Sequence, residues 1–101
     1  MLVAFSIAPT STDDPDGSVS RAVADAVRIV RESGLPHETT SMFTTIEGEW
    51  DECMAVVKAA VDAVSAHAPR VGLVLKADIR PGFSGQLTAK VERVEEHLRG
   101  D

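Results

Sequence analysis

The chain has 101 residues, enough for one hydrophobic core but not two, and with 44% hydrophobic and 26% charged residues it is neither disordered nor fibrous in composition. Ten Lys and Arg against 16 Asp and Glu leave a formal net charge of -6 and a pI near 4.9, the wrong sign for binding nucleic acid or an anionic membrane. The single cysteine, Cys53, excludes an internal disulfide and suits a reducing compartment.

Residues 2 to 8 alternate, with Val3, Phe5 and Ile7 on one side and Leu2, Ala4, Ser6 and Ala8 on the other, which predicts a strand with two rather apolar faces. This opening run lacks a basic lead and is too short to span a bilayer, so a cytoplasmic protein is expected. Pro9 ends the strand, and Thr10 to Gly17 reads as a polar loop. Ser18 is placed to cap a helix in which Val19, Val23, Ala26, Val27 and Val30 recur at spacings of three and four. Ser33-Gly34, with Pro36 just beyond, ends it.

Pro36 to Met42 reads as a half-exposed strand, followed by a tight turn near Ser41 to Phe43 and a second strand through Ile46. Gly48 permits a change of direction, and acids at 49, 51 and 52 suit the start of a helix running from Trp50 to about Ala68 on Met54, Val57, Val61 and Val64. Arg70 to Arg80 alternates as a strand, with Val71, Leu73, Leu75, Ala77 and Ile79 on one face and Gly72, Val74, Lys76, Asp78 and Arg80 on the other. Pro81 to Gly85 is a loop, and Leu87, Val91, Val94 and Leu98 mark a final helix.

The order strand, helix, strand, strand, helix, strand, with one extra helix, predicts a single α+β domain over residues 1–101. Its architecture is the split βαβ sandwich of ferredoxin-like type, βαββαβ plus a C-terminal helix, with a four-stranded antiparallel sheet and helices on one face. Leu2, Ala4, Ala8 and Val74 then point from the opposite face, which makes water an unsuitable neighbour there and a homo-oligomer the expectation.

The same alternation gathers polar groups. If Ile46 faces the helices, Thr45 and Glu47 face away, beside Ser6, Lys76, Asp78 and Arg80. Cross-strand pairs of Glu47 with Lys76, or Asp78 with Arg80, would serve only solubility or subunit contact. A pocket at a subunit junction would instead let a desolvated carboxylate hold a cationic or amino-bearing ligand. His37, His67 and His97 fall in three elements without paired spacing and predict no metal site; His67 and His97 suit helix ends. Cys53 is expected as a small buried hydrophobe and Trp50 as core packing. Glu47 and Glu49 lack a nucleophile or oxyanion donor, and Pro81 to Gly85 lacks the lysine of a phosphate loop, so neither catalysis nor a cofactor is expected.

Phe5-Ser6-Ile7-Ala8-Pro9, Val23-Ala24, Glu32-Ser33-Gly34-Leu35 and above all Thr44-Thr45-Ile46-Glu47-Gly48-Glu49 before a helix resemble the small thiamine-binding proteins of ferredoxin-like fold. The resemblance runs from about residue 3 to residue 98. It implies non-catalytic binding of thiamine or its hydroxymethylpyrimidine part for salvage, transport or sequestration, and sheet-mediated dimers or tetramers. The ligand-binding residues it implies are Ser6, Thr44, Thr45 and Glu47; alternation supports Ser6, Thr45 and Glu47, while Thr44 rests on the resemblance alone. Phe43 stands where such proteins commonly have glycine, and either narrows the pocket or offers a ring for the pyrimidine to stack on. The alternative is an oligomerising regulatory or assembly module with a different ligand or none.

Overall fold

The computed structural model of the chain describes residues 1–10 and 19–100; the expected polar loop beyond Thr10 and the Ser18 cap fall outside them. The elements are β1 (Leu2–Pro9), α1 (Ser20–Glu32), β2 (His37–Thr39), β3 (Thr44–Glu47), α2 (Trp50–Ser65), β4 (Val71–Asp78) and α3 (Gln86–Leu98). Four strands form one antiparallel sheet in the order β2-β3-β1-β4, the expected ferredoxin-like topology. No helix among the described residues is long and apolar enough to cross a membrane.

The core lies between the sheet and the pair α1 and α2. Val3 pairs with Ile46 on one side and Ala77 on the other, and Val3 and Ile46 are fully buried. From α1 the buried residues are Ala22, Ala26 and Val30; from α2 they are Cys53, Val56, Val57, Ala60 and Val64. The buried stripe of α1 is therefore turned from the predicted one, leaving Val19 and Val23 exposed. Ala22 joins the expected Ala26 and Val30 on the buried side, where its small side chain lets the helix approach closely, a packing demand that hydrophobic spacing does not reveal.

Two connections show how local chemistry bounds the elements. β2 is shorter than predicted because the Thr40 hydroxyl takes over the hairpin. Thr40 N–H donates to the Phe43 carbonyl at 2.9 Å, and Phe43 N–H donates to Thr40 Oγ1 at 3.2 Å. No non-glycine described residue takes positive φ, so the usual primed hairpin turn is unavailable and a side-chain oxygen stands in for the carbonyl. Gly34, at φ 79°, follows the C-cap of α1 as expected. Gly48 has no such conformation; a Cβ there would lie 3.2 Å from Leu35 Cδ2 and 3.4 Å from Cys53 Sγ, so close packing under the β3 to α2 junction is what makes it fit.

His67 lies just beyond the end of α2, the placement expected, and its ring also meets Asp25 of α1 with Nε2 2.8 Å from Oδ2. This hydrogen bond holds the Asp25 carboxyl below its ordinary value against the opposing pull of partial burial, and the charges of His67 and Arg28 add to it. A carboxyl depressed in the folded state contributes its stability in full above the unfolded value of 3.8 and loses it as pH falls through the lower folded-state value. Urea midpoints measured as a function of pH should therefore fall more steeply below about pH 4 in the native chain than in Asp25→Asn.

Candidate functional site

β3 has only four residues, but its register is set on both sides. Glu47 pairs with Leu2, Ile46 with Val3, Thr45 with Ala4 and Thr44 with Phe5. Since Val3, Phe5 and Ile46 face the helices, alternation sends Thr45 and Glu47 to the other face with Leu2, Ala4 and Ser6. Across β1, Asp78, Lys76 and Val74 pair with Leu2, Ala4 and Ser6 and share that face. Thr44 points to the helix side, where its hydroxyl lies 3.5 Å from that of Thr39, so it does not join the others. Phe43 alternates onto the side of Thr45, just past the ladder, and is 38% exposed. Thr45 and Glu47 are about 7 Å apart along the strand, whereas Ser6 lies level with a point about 13 Å from Glu47.

Glu47 is only 7% exposed. Its Oε2 accepts the Gln86 amide at 2.9 Å and its Oε1 the Leu87 amide at 3.3 Å. These are first-turn amides of α3, which have no partner within their own helix, and a carboxylate both satisfies them and complements the helix dipole. The contact places the start of α3 on the face that α1 and α2 leave open. On the other side of Leu2, Asp78 forms an ion pair with Lys90 of α3. The expected pairs of Glu47 with Lys76 and Asp78 with Arg80 are thus replaced by contacts to α3. Beneath the first turns of α3, Leu2, Asp78, Phe83, Gln86 and Lys90 help line a narrow crevice of only about 10 Å³. Sequence reasoning missed Gln86, Leu87 and Lys90; the glycine before α3 signalled a helix start, but nothing local says which acid, 39 residues away in the chain, will cap it.

The remaining candidates separate. Cys53 is fully buried and desolvation pushes its thiol up, away from the reactive thiolate. His37 Nδ1 lies 2.9 Å from the Leu35 carbonyl. Glu49 belongs to a capping box in which its amide donates to Glu52 Oε1 at 3.0 Å. Trp50 is not core: it is 54% exposed, because it extends the buried side of α2 by one turn past Cys53, where its neighbours are Met1 and residues 79–83 across an open cleft.

A family model described as thiamine-binding protein matches residues 3–95. The chain belongs to the thiamine-binding protein family. Within it, the chain is 50% identical over 99 residues to the UPF0045 protein Mb1933 of Mycobacterium bovis, covering 97% of this chain and 94% of the relative. It is 34% identical to the UPF0045 protein YqgV of Bacillus subtilis, covering 92% of each. Among solved structures, MJ1052 of Methanocaldococcus jannaschii superposes with a TM-score of 0.81 at 29% identity, over 94% of this chain and 95% of that one. TM0486 of Thermotoga maritima, provisionally described as a thiamine biosynthesis or salvage protein, superposes at 0.68 and 26% identity, over 92% and 100%. The two solved structures share the overall fold of this chain.

Proposed function

We propose that this member of the thiamine-binding protein family binds thiamine or its hydroxymethylpyrimidine part in the cytoplasm without transforming it, for salvage, transport or sequestration. The observation that carries the reading is the nearly buried Glu47 carboxylate beside Thr45 on the face away from α1 and α2. A carboxylate offers about four acceptor directions. The α3 amides use two of them, and in this reading the others receive the exocyclic amine of an aminopyrimidine, with Thr45 donating or accepting at a ring nitrogen. Phe43 and Ser6 extend the same strip for the rest of the molecule. The net charge of -6 suits a cationic thiazolium and disfavours nucleic acid or anionic membrane as partners.

Calorimetry of the purified chain with thiamine, its phosphates and hydroxymethylpyrimidine tests this directly. Saturable heat at micromolar ligand is expected, and its absence at high micromolar concentration for every compound would remove the reading.

Self-association is part of the same proposal. Val74 on the open face is 61% exposed, and Val91, Val94 and Leu98 of α3 are 60%, 57% and 74% exposed, apolar surface that a second copy of the chain would cover. Light scattering should give a mass well above 10.7 kDa, and Val94→Glu should lower it. A native chain that stays at the monomer mass throughout the micromolar range would refute self-association.

A further inference from the structure

A second cleft opens at one end of the sheet, between the start of α2 and the segment that follows β4. Met1, Glu49, Trp50, Ile79, Arg80 and Phe83 contribute to its lining, and it has a volume of about 170 Å³ and opens to solvent. The chain has only four aromatic residues, three Phe and one Trp, and two of them, Trp50 and Phe83, stand half exposed here at 54% and 48%. Aromatic rings left out of so small a core need a reason.

The far wall is a tight turn. Phe83 N–H donates to the Arg80 carbonyl at 3.3 Å, and Gly82 takes φ 83° behind Pro81, the residue pattern of a type II turn. Pro81 presets its own φ and Gly82 adopts the left-handed conformation without a Cβ penalty, so the first and fourth residues are held side by side. The result is the Arg80 guanidinium carbon 3.5 Å from the centroid of the Phe83 ring. A guanidinium stacked through its face keeps its N–H edge free to donate. Among the described residues no carboxylate pairs with Arg80. Glu49, the acid of the cleft wall, takes part in the capping box of α2 and forms no ion pair with Arg80. Closing β4 toward α3 requires the turn, but it requires neither an exposed tryptophan nor an unpaired, preordered cation.

We propose that this cleft binds a planar aromatic anion, a ring bearing a carboxylate or a phosphate monoester, with the ring against Trp50 and the anion on the N–H edge of Arg80. Stacking and a fork-shaped donor together select for a ring and a charge in one molecule. The site uses none of the residues assigned above to thiamine, and its success or failure is independent of that reading.

Trp50 is the only tryptophan, so its emission reports this cleft alone. Nicotinate and adenosine 5′-monophosphate serve as the carboxylate and phosphate probes. Nicotinamide and adenosine keep the ring without the charge, and inorganic phosphate keeps the charge without the ring. At least one of the two ring anions should change the emission saturably, and more strongly than its uncharged counterpart by about tenfold or more in affinity; which one does so assigns the anionic group. Arg80→Gln, with its fold checked by circular dichroism, should erase that difference, and Arg80→Lys should restore part of it. The proposal is overturned if neither ring anion saturates up to about 10 mM. It is equally overturned if Arg80→Gln binds as the native chain does, or if inorganic phosphate binds as tightly as the nucleotide, which would mean an adventitious ion only.

Discussion

Glu47→Gln is expected to weaken thiamine binding about ten- to a hundredfold while loosening the start of α3. A hydrogen bond to a charged group is worth about 1.5–3 kcal/mol, and at 1.4 kcal/mol per tenfold that range gives the stated loss. The amide keeps the shape and one acceptor but removes the charge that both a cationic ligand and the N-terminus of α3 use. None of the residues of α3 is fully buried, so the helix depends on few contacts, chiefly the two amides on Glu47 and the pair of Lys90 with Asp78. Amide exchange at Gln86 and Leu87 should therefore quicken, and stability should drop by about 1–2 kcal/mol, the usual range for losing a helix cap. The two readouts separate two roles. Faster exchange with unchanged thiamine heat would make Glu47 a structural latch and favour the assembly module; loss of both is the outcome expected of a carboxylate shared between helix and ligand.

The largest effect on stability is expected from Ile46→Ala, a loss of about 2–5 kcal/mol in denaturant unfolding. Ile46 is fully buried in the short β3, paired with fully buried Val3 and flanked in sequence by Thr45 and Glu47. Removing its side chain leaves a cavity under the sheet that close-packed neighbours fill only in part. Against a typical total of about 5–15 kcal/mol the loss is severe. It also has a functional consequence, because Ile46 anchors the alternation that turns Thr45 and Glu47 to the opposite face. Ligand affinity should fall along with stability, although residue 46 touches no ligand. Thr45→Val is the converse: stability within about 0.5 kcal/mol of native, with weakened binding.

How much of this was legible in the residues can be seen strand by strand. Val3, Phe5 and Ile7 opposite Leu2, Ala4 and Ser6 announced both faces of β1, and Thr45 and Glu47 about Ile46 announced those of β3, because a period of two is local and survives any packing. The order of elements was likewise sufficient for the fold class, while the family resemblance rested on the motifs, above all Thr44-Thr45-Ile46-Glu47-Gly48-Glu49. Even the turn at Ser41 to Phe43 was in place, although the hydroxyl that closes it belongs to Thr40.

What the residues could not announce depends on distance in the chain. That Glu47 caps α3, that Asp78 meets Lys90 and not Arg80, that His67 finds Asp25, and that Trp50 stands over a cleft all join groups brought together only when the sheet and helices close. The burial of Ala22 beside the expected Ala26 and Val30, with Val19 and Val23 left exposed, has the same origin. Local sequence sets which way a side chain points within its own strand or helix, through backbone periodicity. Which partner it meets there is set by the packing of the other elements, and this is why the face of Glu47 could be read from the chain while its occupant could not.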